Sequence, residues 1–241
     1  MRIILPCAGY GRRFAEAGYK IDKPLIEVNG KTLLEWSLEP IPKEWRKIFI
    51  TRDDQHMDVH REVKRHGFRL VLPGPTGGAA MTVLAAAVAI PPDEPVAIMN
   101  CDQWFKCDLV KLTSQALEES WDGYILTFDG KGSQWSYAVC NPARPGMVVS
   151  VVEKPHAPLK NAEATVGFYW WRRTSDLIRC ICTMIANNDM VNNEYYLAPA
   201  YNTLLKWGTN DVRAVMVDEF AGLGTPEQVR SFEQAALVME P

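Results

Sequence analysis

Two glycines, two arginines and a lysine within the first 23 residues have the chemistry to hold a phosphate chain. The run is Pro6-Cys7-Ala8-Gly9-Tyr10-Gly11-Arg12-Arg13-Phe14, closed by Lys23-Pro24-Leu25-Ile26. Gly9 and Gly11 tolerate φ > 0 and let backbone N–H groups come close to a ligand. Successive N–H groups in such a turn form a concave anion site. Arg13 adds a fork suited to a bidentate phosphate contact, and Lys23 adds a compact point charge. The loop matches neither widespread phosphate motif. A dinucleotide fingerprint needs glycine where Phe14 stands, and a Walker loop needs glycine at Leu25, upstream of Gly30-Lys31-Thr32. Taken alone, the stretch reads equally as a strand-to-helix turn with surface cations.

Two further places carry candidate chemistry. Pro73-Gly74-Pro75-Thr76-Gly77-Gly78 opens a small, apolar, helical run over 79–89. Backbone at the start of that helix can meet a ligand closely, and the helix dipole favours an anion there. Asp102 follows the strand-like run 96–100 after one intervening residue, Cys101. Open α/β sheets bind ligands just past the carboxyl ends of their strands, so Asp102 reads as a site carboxylate or as a turn residue.

These residues need strands to hold them. Residues 2–5, 47–51, 68–72 and 96–100 read as strands, the first and the last of them as buried apolar runs. Residues 32–38, 58–66 and 79–89 read as helices between them. Further on, 124–128 reads as a strand. Strands 136–140 and 148–152 are joined by the turn-rich 141–146. Residues 164–171 form an aromatic strand, 175–185 and 197–207 helices, and 212–217 a last strand. Thr225, Pro226 and Gln228 have the spacing of a helix start with a capping box. Alternating elements early and hairpin-like pairs later predict one α/β domain over 1–241. Its central sheet is mixed and mostly parallel, with helices on both faces.

Composition narrows the partners. The chain has 241 residues, 47% hydrophobic and 23% charged, with a formal net charge of −3. A chain of this length buries roughly 70–75% of its unfolded surface, so a sizeable core is available. No basic excess marks a nucleic-acid or membrane partner. Phosphate-binding charge concentrated locally in a mildly acidic chain suits a small phosphorylated ligand. The six cysteines, Cys7, Cys101, Cys107, Cys140, Cys180 and Cys182, match no zinc spacing and read as reduced thiols of a cytoplasmic protein. No apolar run approaches membrane-spanning length, and the chain enters its first strand without a leader pattern. Trp170 and Trp171 read as core, interface or acceptor platform. His56, His60 and His66 lie on a polar stretch and read as solvated. Exposed aromatics would permit a homodimer.

In order along the chain, several segments together resemble the sugar-phosphate nucleotidyltransferase (NTP transferase) family. They are Ala8 to Phe14 with Lys23-Pro24-Leu25, Gly77-Gly78-Ala79-Ala80, Asp102, Glu153-Lys154-Pro155, Gly167-Phe168-Tyr169 and Gly224-Thr225-Pro226-Glu227. The resemblance covers nearly the whole chain and is nearest to capsule and surface-polysaccharide enzymes, including small-phosphate cytidylyltransferases. It implies a GT-A-like, Rossmann-like three-layer fold. It also implies transfer of a nucleoside monophosphate from NTP to a sugar phosphate or other small phosphorylated acceptor, releasing pyrophosphate. Ala8, Gly9, Gly11 and Arg12 would wrap the nucleotide, with Gly77 and Gly78 at the base. Arg13 would meet the leaving pyrophosphate, Lys23 the α-phosphate and Lys154 the acceptor phosphate. Asp102 would hold Mg2+. Glu153 and Gly167 would line the acceptor pocket, joined by Glu194 on the ground that ligands gather at strand ends.

Two departures stand out. Many relatives carry an aspartate just before the G-T-P turn as a second metal ligand, but here the chain reads Ala221-Gly222-Leu223. That ligand is absent, or Asp218, Glu219 or a residue elsewhere replaces it. The glutamine that reads uracil or thymine in relatives has no counterpart in Gly77-Gly78-Ala79-Ala80, which favours CTP over UTP or dTTP. A glycosyltransferase on the same fold is one alternative. Asp102-Gln103-Trp104 lacks the second aspartate of its Asp-x-Asp motif, and Arg13 and Lys23 would go unexplained. A non-catalytic nucleotide-binding regulator is the other, supported by the missing second carboxylate.

Overall fold

The computed structural model describes residues 1–208 and 211–239. Strand β1 (Arg2–Pro6) runs into the glycine loop, which turns into the short helix α1 (Arg12–Glu16). A 3-10 turn at Lys23–Leu25 and the hairpin β2 (Glu27–Val28) and β3 (Lys31–Thr32) lead into α2 (Leu33–Leu38). Thr32 caps that helix. Its Oγ1 accepts from the Glu35 N–H at 3.1 Å, and the Glu35 carboxylate accepts from the Thr32 N–H at 2.7 Å. This reciprocal box satisfies two donors that a helix start leaves orphaned.

Strand–helix units follow. β4 (Arg46–Arg52) leads to α3 (Met57–His66), and β5 (Phe68–Leu72) leads to α4 (Ala79–Ala87). β6 (Val96–Met99) reaches α5 (Leu109–Glu118) through the short β7 (Gln103–Lys106). The second half adds β8 (Gly123–Phe128), β9 (Ser136–Cys140), β10 (Val148–Glu153) and β11 (Ala162–Trp171). Helices α6 (Thr174–Ala186) and α7 (Ala200–Lys206) come next, then β12 (Val212–Met216), β13 (Glu219–Gly222) and α8 (Pro226–Met239).

Strands β6, β1, β4 and β5 lie side by side and parallel. β11 joins β6 antiparallel and carries β9 and β10 beyond it, while β8 pairs with β11 and takes β12 in parallel. Successive strand residues face opposite sides. Ile4 and Ile98 pack under α4, α6 and α7, whereas Ile3, Leu5, Ala97 and Met99 pack against α2, α3 and α5. Helices on both faces explain why β1 and β6 read as buried apolar runs. The result is the three-layer α/β arrangement expected. A third, smaller core of Phe14, Ile26, Val28, Leu33, Leu223 and Val229 joins α1, the hairpin and α8 across the front.

Several expectations need correction. The helix expected over 197–207 begins only at Ala200, behind Pro199. A proline ring clashes with the carbonyl four residues back, so the helix cannot run through it. Among the readings open to them, Trp170 and Trp171 take that of core residues. Trp170 stacks on Tyr124 at 5.2 Å and Trp171 on Tyr201 at 4.1 Å, all four inaccessible or nearly so. His60 is not solvated: it is buried beside Val59 and Val63, with a ring nitrogen 3.3 Å from Thr51 Oγ1. His56 caps α3 by accepting from the Asp58 N–H at 3.3 Å, and His66 lies 2.9 Å from Glu62. The α8 cap is half the expected box. Thr225 Oγ1 accepts from the Gln228 N–H, but Gln228 Oε1 accepts from Gly224 N–H instead of Thr225 N–H. All six cysteines are free thiols. No helix among the described residues is long and apolar enough to cross a membrane.

Candidate active site

The chain order of the parallel strands reverses between β1 and β6: β4 and β5 lie on one side of β1, and β6 lies on the other. Ligands of open α/β sheets gather at the carboxyl ends of strands at such a switch point. A cleft of about 580 Å³ opens there. Its walls come from the loop after β1, the loop after β5, and residues 100–102 after β6.

The first wall is held by braces that the sequence reading missed. The Cys7 carbonyl accepts from Gln55 Nε2 at 2.9 Å, and the Ala8 carbonyl accepts from the Arg52 guanidinium. Arg52 is itself buried, donates to Asp54 Oδ1 at 2.7 Å, and lies over the Tyr10 ring at 3.8 Å. With two consecutive carbonyls tied to β4 and the turn behind it, the glycine loop is fixed before any ligand arrives. Gly11 has φ of 61°, and a Cβ there would stand 3.2 Å from Lys23 Cβ. The two halves of the signature therefore touch, and only glycine combines that φ with that closeness.

Lys23 Nζ lies 2.6 Å from Asp102 Oδ2 at the floor of the cleft. Asp102 is fixed in turn by its own carbonyl, which accepts from the Leu223 N–H at 2.8 Å, so the G-T-P turn supports it. Arg12 and Arg13 line the same cleft and have no ion pair among the described residues. Three cations thus surround a space whose carboxylates are Asp102 and Glu194.

The opposite wall is the Gly77-Gly78 turn. Gly78 has φ of 136°, and a Cβ there would come within 2.6 Å of the Tyr195 backbone N and O. The Tyr195 N–H donates to the Gly77 carbonyl at 2.9 Å, and the Ala80 N–H donates to the Tyr195 carbonyl at 3.0 Å. Thr76 Oγ1 and Thr82 Oγ1 sit 2.6 Å apart beneath the Gly78 carbonyl and lock the turn. This clamp carries Glu194 to the cleft edge. Gly77 itself does not line the cleft, whereas Gly78, Ala8, Gly9, Gly11 and Glu194 do.

Glu153 and Lys154 stand outside the cleft lining and form, with Tyr196, a separate ledge. Lys154 adopts φ of 45°, in the left-handed region that non-glycine residues rarely visit. Its N–H donates to the Trp135 carbonyl, and its ammonium donates to the Tyr196 hydroxyl. Strain of this kind persists where surrounding structure enforces it, often at functional residues. Burial, then Glu194, pushes the Tyr196 phenol up from its ordinary value, and the charge of Arg13 is felt there too. Burial likewise pushes the Glu153 carboxyl up, opposed by a hydrogen bond from Ser136 Oγ. Gly167 does not line the cleft. It sits at the register shift of β11 with φ of 81°, where its carbonyl accepts from the Asn100 N–H at 3.0 Å. A Cβ there would collide with the Gln103 and Asn100 amides, so this glycine lets the segment around Asp102 approach β11.

The donor set can be tested against a divalent cation. Mg2+ takes oxygen ligands and commonly binds through one or two carboxylates plus substrate phosphates. Asp102, partly exposed at the cleft floor, fits that pattern. The proposed stand-ins for the missing second carboxylate do not. Glu219 pairs with Lys106 at 2.9 Å, at the far end of the β7–β13 ladder from Gly222. Asp218 lies beyond it, and neither lines the cleft. No group of three or more His, Cys, Asp or Glu suited to a metal occurs among the described residues. A metal would be held here by Asp102 and by the ligand's own phosphates.

With that geometry in view, comparison with known proteins is decisive. Residues 3–158 match the MobA-like NTP transferase domain. The chain belongs to the MobA-like NTP transferase family. This agrees with the motif order of the sequence. The matched span holds the cleft from the glycine loop through Asp102 and reaches Lys154, while Glu194 and the G-T-P turn lie outside it. Among curated relatives, the NTP transferase chain is 24% identical over 236 residues to the bifunctional protein GlmU of Caldicellulosiruptor saccharolyticus. That match takes in 95% of this chain and 50% of the relative, so the chain spans about half the length of the curated relative it matches. A nucleoside-diphosphate-sugar pyrophosphorylase from Vibrio cholerae RC9 superposes with a TM-score of 0.81 and 25% identity, over 96% of this chain and 99% of that one. A UDP-glucose pyrophosphorylase complexed with UDP-glucose shares the fold at a TM-score of 0.75 and 18% identity, over 99% of each chain.

Proposed function

We propose that this NTP transferase acts as one catalytic unit of the nucleoside-diphosphate-sugar pyrophosphorylase type. It joins a nucleoside triphosphate to a sugar phosphate or other small phosphorylated acceptor and releases pyrophosphate. The observation that carries this reading is the Lys23–Asp102 pair, 2.6 Å apart, under a glycine loop with Arg12 and Arg13. Family membership and the pyrophosphorylase fold support it.

The chemical obstacle is charge. An acceptor phosphate carries about −1.5 to −2 at neutral pH, and it must approach a triphosphate that is also anionic. Positioning and preorganised electrostatics can lower that barrier without a covalent nucleophile. Lys23 faces the α-phosphate, where its charge offsets that of the nonbridging oxygens in the transition state. Arg13, with Arg12 beside it, receives the departing pyrophosphate. Lys154, held by Tyr196, orients the acceptor phosphate for in-line attack. Asp102 would hold Mg2+, which when bound offsets phosphate charge. The braced glycine loop costs no reorganisation when the nucleotide binds.

The base is read against the Gly77-Gly78 turn, which presents backbone and no side-chain amide. This favours a pyrimidine nucleotide, CMP first, with UMP and dTMP as the competing donors. The UDP-glucose bound by a fold relative adds weight to UMP. Surface-polysaccharide synthesis in the cytoplasm is the role consistent with a nucleotide-activated sugar or small-phosphate product. The test is a pyrophosphate-release assay with Mg2+, crossing CTP, UTP, dTTP, ATP and GTP with sugar phosphates and small alkyl phosphates. Release with one pair establishes base and acceptor together. Tight NTP binding without release across the panel would overturn transfer in favour of a regulator, and hydrolysis of a nucleotide-sugar would favour a glycosyltransferase.

A further inference from the structure

Cys7 and Cys101 close the floor of the cleft from two different strands, and the reaction above uses neither thiol. The parallel register of β1 and β6 pairs Ile4 with Ile98. The ladder ends at that pair, and Cys7 and Cys101 each stand three residues beyond it. Neighbouring strands lie about 4.8 Å apart, within the Cα separation of roughly 4.4–6.8 Å that a disulfide spans. Their side chains share a face as well. Cys7 packs with Leu5, Ala97 and Met99, and Cys101 lies against the same cluster. Cys101 Sγ donates to the Pro6 carbonyl at 3.4 Å, beside Cys7, and Cys101 is the largest influence holding the Cys7 thiol above its ordinary value. Cys7 is 2% exposed, whereas Cys101 is half-buried, and both border the cleft.

We propose that Cys7 and Cys101 form a reversible dithiol–disulfide site, oxidised by hydrogen peroxide entering through the cleft. The more accessible Cys101 thiol is oxidised first. Its sulfur takes one peroxide oxygen to become a sulfenic acid, and the first water leaves. The Cys7 sulfur then attacks the Cys101 sulfur. The S–O bond breaks, the S–S bond forms, and the hydroxyl departs with the Cys7 proton as the second water. In total, two thiols and one peroxide give one disulfide and two waters. A thiol reductant reverses the bond through a mixed disulfide. Closure ties the residue preceding Ala8 and Gly9 to the residue preceding Asp102. It thereby fixes the width between the glycine loop and the carboxylate. The consequence for nucleotide binding rests on the function proposed above; the bond itself does not.

The experiment treats the full chain with hydrogen peroxide, blocks remaining thiols with N-ethylmaleimide in denaturant, and maps peptides by mass before and after reduction. The expected result is a reductant-sensitive cross-link between the Cys7 and Cys101 peptides, absent from both Cys7→Ser and Cys101→Ser, with the other four cysteines alkylated. Whichever single variant folds suffices as the control. CTP and UTP titrations of the same samples are expected to show affinity reduced roughly tenfold or more on oxidation, because small misplacements of positioning groups have large effects, and restored by reductant. Cross-links among other cysteines, or Cys101 overoxidised while Cys7 remains alkylatable, would overturn the site. A formed cross-link with unchanged nucleotide affinity would overturn its effect on the cleft. If the reduced protein binds no nucleotide, the functional reading fails while the peptide masses still decide the disulfide.

Discussion

The cleft under the glycine loop and the ledge around Lys154 are built by different means. The cleft draws most of its chemistry from one stretch, residues 6–24, with Asp102 brought beneath it by the adjacent strand. The ledge is assembled from separated segments: Glu153-Lys154 at the end of β10, Tyr196 before α7, and Ser136 at the start of β9. In the cleft Arg12 and Arg13 have no ion pair among the described residues, and Lys23 is paired with Asp102. On the ledge the lysine is held in a left-handed backbone conformation and capped by a tyrosine hydroxyl. A triphosphate is the same for every nucleotide, so a short local loop can provide for it. On the function proposed above, the acceptor is the variable partner, and the ledge that would serve it is assembled from distant parts that can change independently. The segment Glu194-Tyr195-Tyr196 links the two regions, because Tyr195 clamps Gly77 and Gly78 while Tyr196 holds Lys154.

Four changes test this contrast. Lys23→Ala strikes the cleft directly. It should lower kcat by roughly 100- to 1,000-fold, the range for losing one preorganised transition-state donor, with the circular-dichroism spectrum and melting temperature near those of the parent. Near-normal turnover would remove Lys23 from the mechanism. Gly78→Ala should damage both regions at once, because its Cβ would meet the Tyr195 backbone at 2.6 Å and its φ of 136° suits glycine. A backbone conflict of this kind costs about 1–3 kcal/mol, read in denaturant unfolding, and KM should rise for nucleotide and acceptor together. A rise for one substrate alone would show the clamp does not join them.

Tyr196→Phe isolates the ledge. Losing a hydrogen bond of about 1 kcal/mol should raise the acceptor KM roughly fivefold and leave nucleotide affinity unchanged. An equal effect on both would merge the two regions into one site. Glu153→Gln should show the smallest effect, and one that depends on pH. Burial raises the folded-state pKa of Glu153 above its unfolded value, so the native protein bears the cost of the buried charge above that raised pKa and sheds it as pH falls toward the ordinary carboxylate range. The variant should therefore melt slightly above the parent at neutral to alkaline pH, with the gap closing on acidification. A gap that widens on acidification would mean the carboxylate is stabilised by its partners.

Much of the fold was legible because buried parallel strands have no polar face. Residues 2–5 and 96–100 read as strands and form β1 and β6, whose central residues are buried. Elements were missed for two reasons. Helix α5 carries Leu109, Leu112 and Ala116 on its buried face, a helical spacing the sequence does contain. β7 and β13, by contrast, are four-residue strands that pair across more than a hundred positions, and no local pattern announces such a partner. His60 shows the same limit on a smaller scale. Polar neighbours made it look solvated, yet its helical position between Val59 and Val63 turns it inward.

By itself the sequence determined the alternating α/β architecture, the glycine loop with Arg12, Arg13 and Lys23, and the placement of Asp102 at a strand end. Each depends on residues near one another in the chain, where periodicity and backbone preference act directly. Only the tertiary structure decided that Lys23 and Asp102 meet at 2.6 Å, that Arg52 and Gln55 hold the loop from behind, and that Tyr196 holds Lys154. Those contacts depend on strand order and register, which are set by how the whole sheet packs between its helices and not by any one segment.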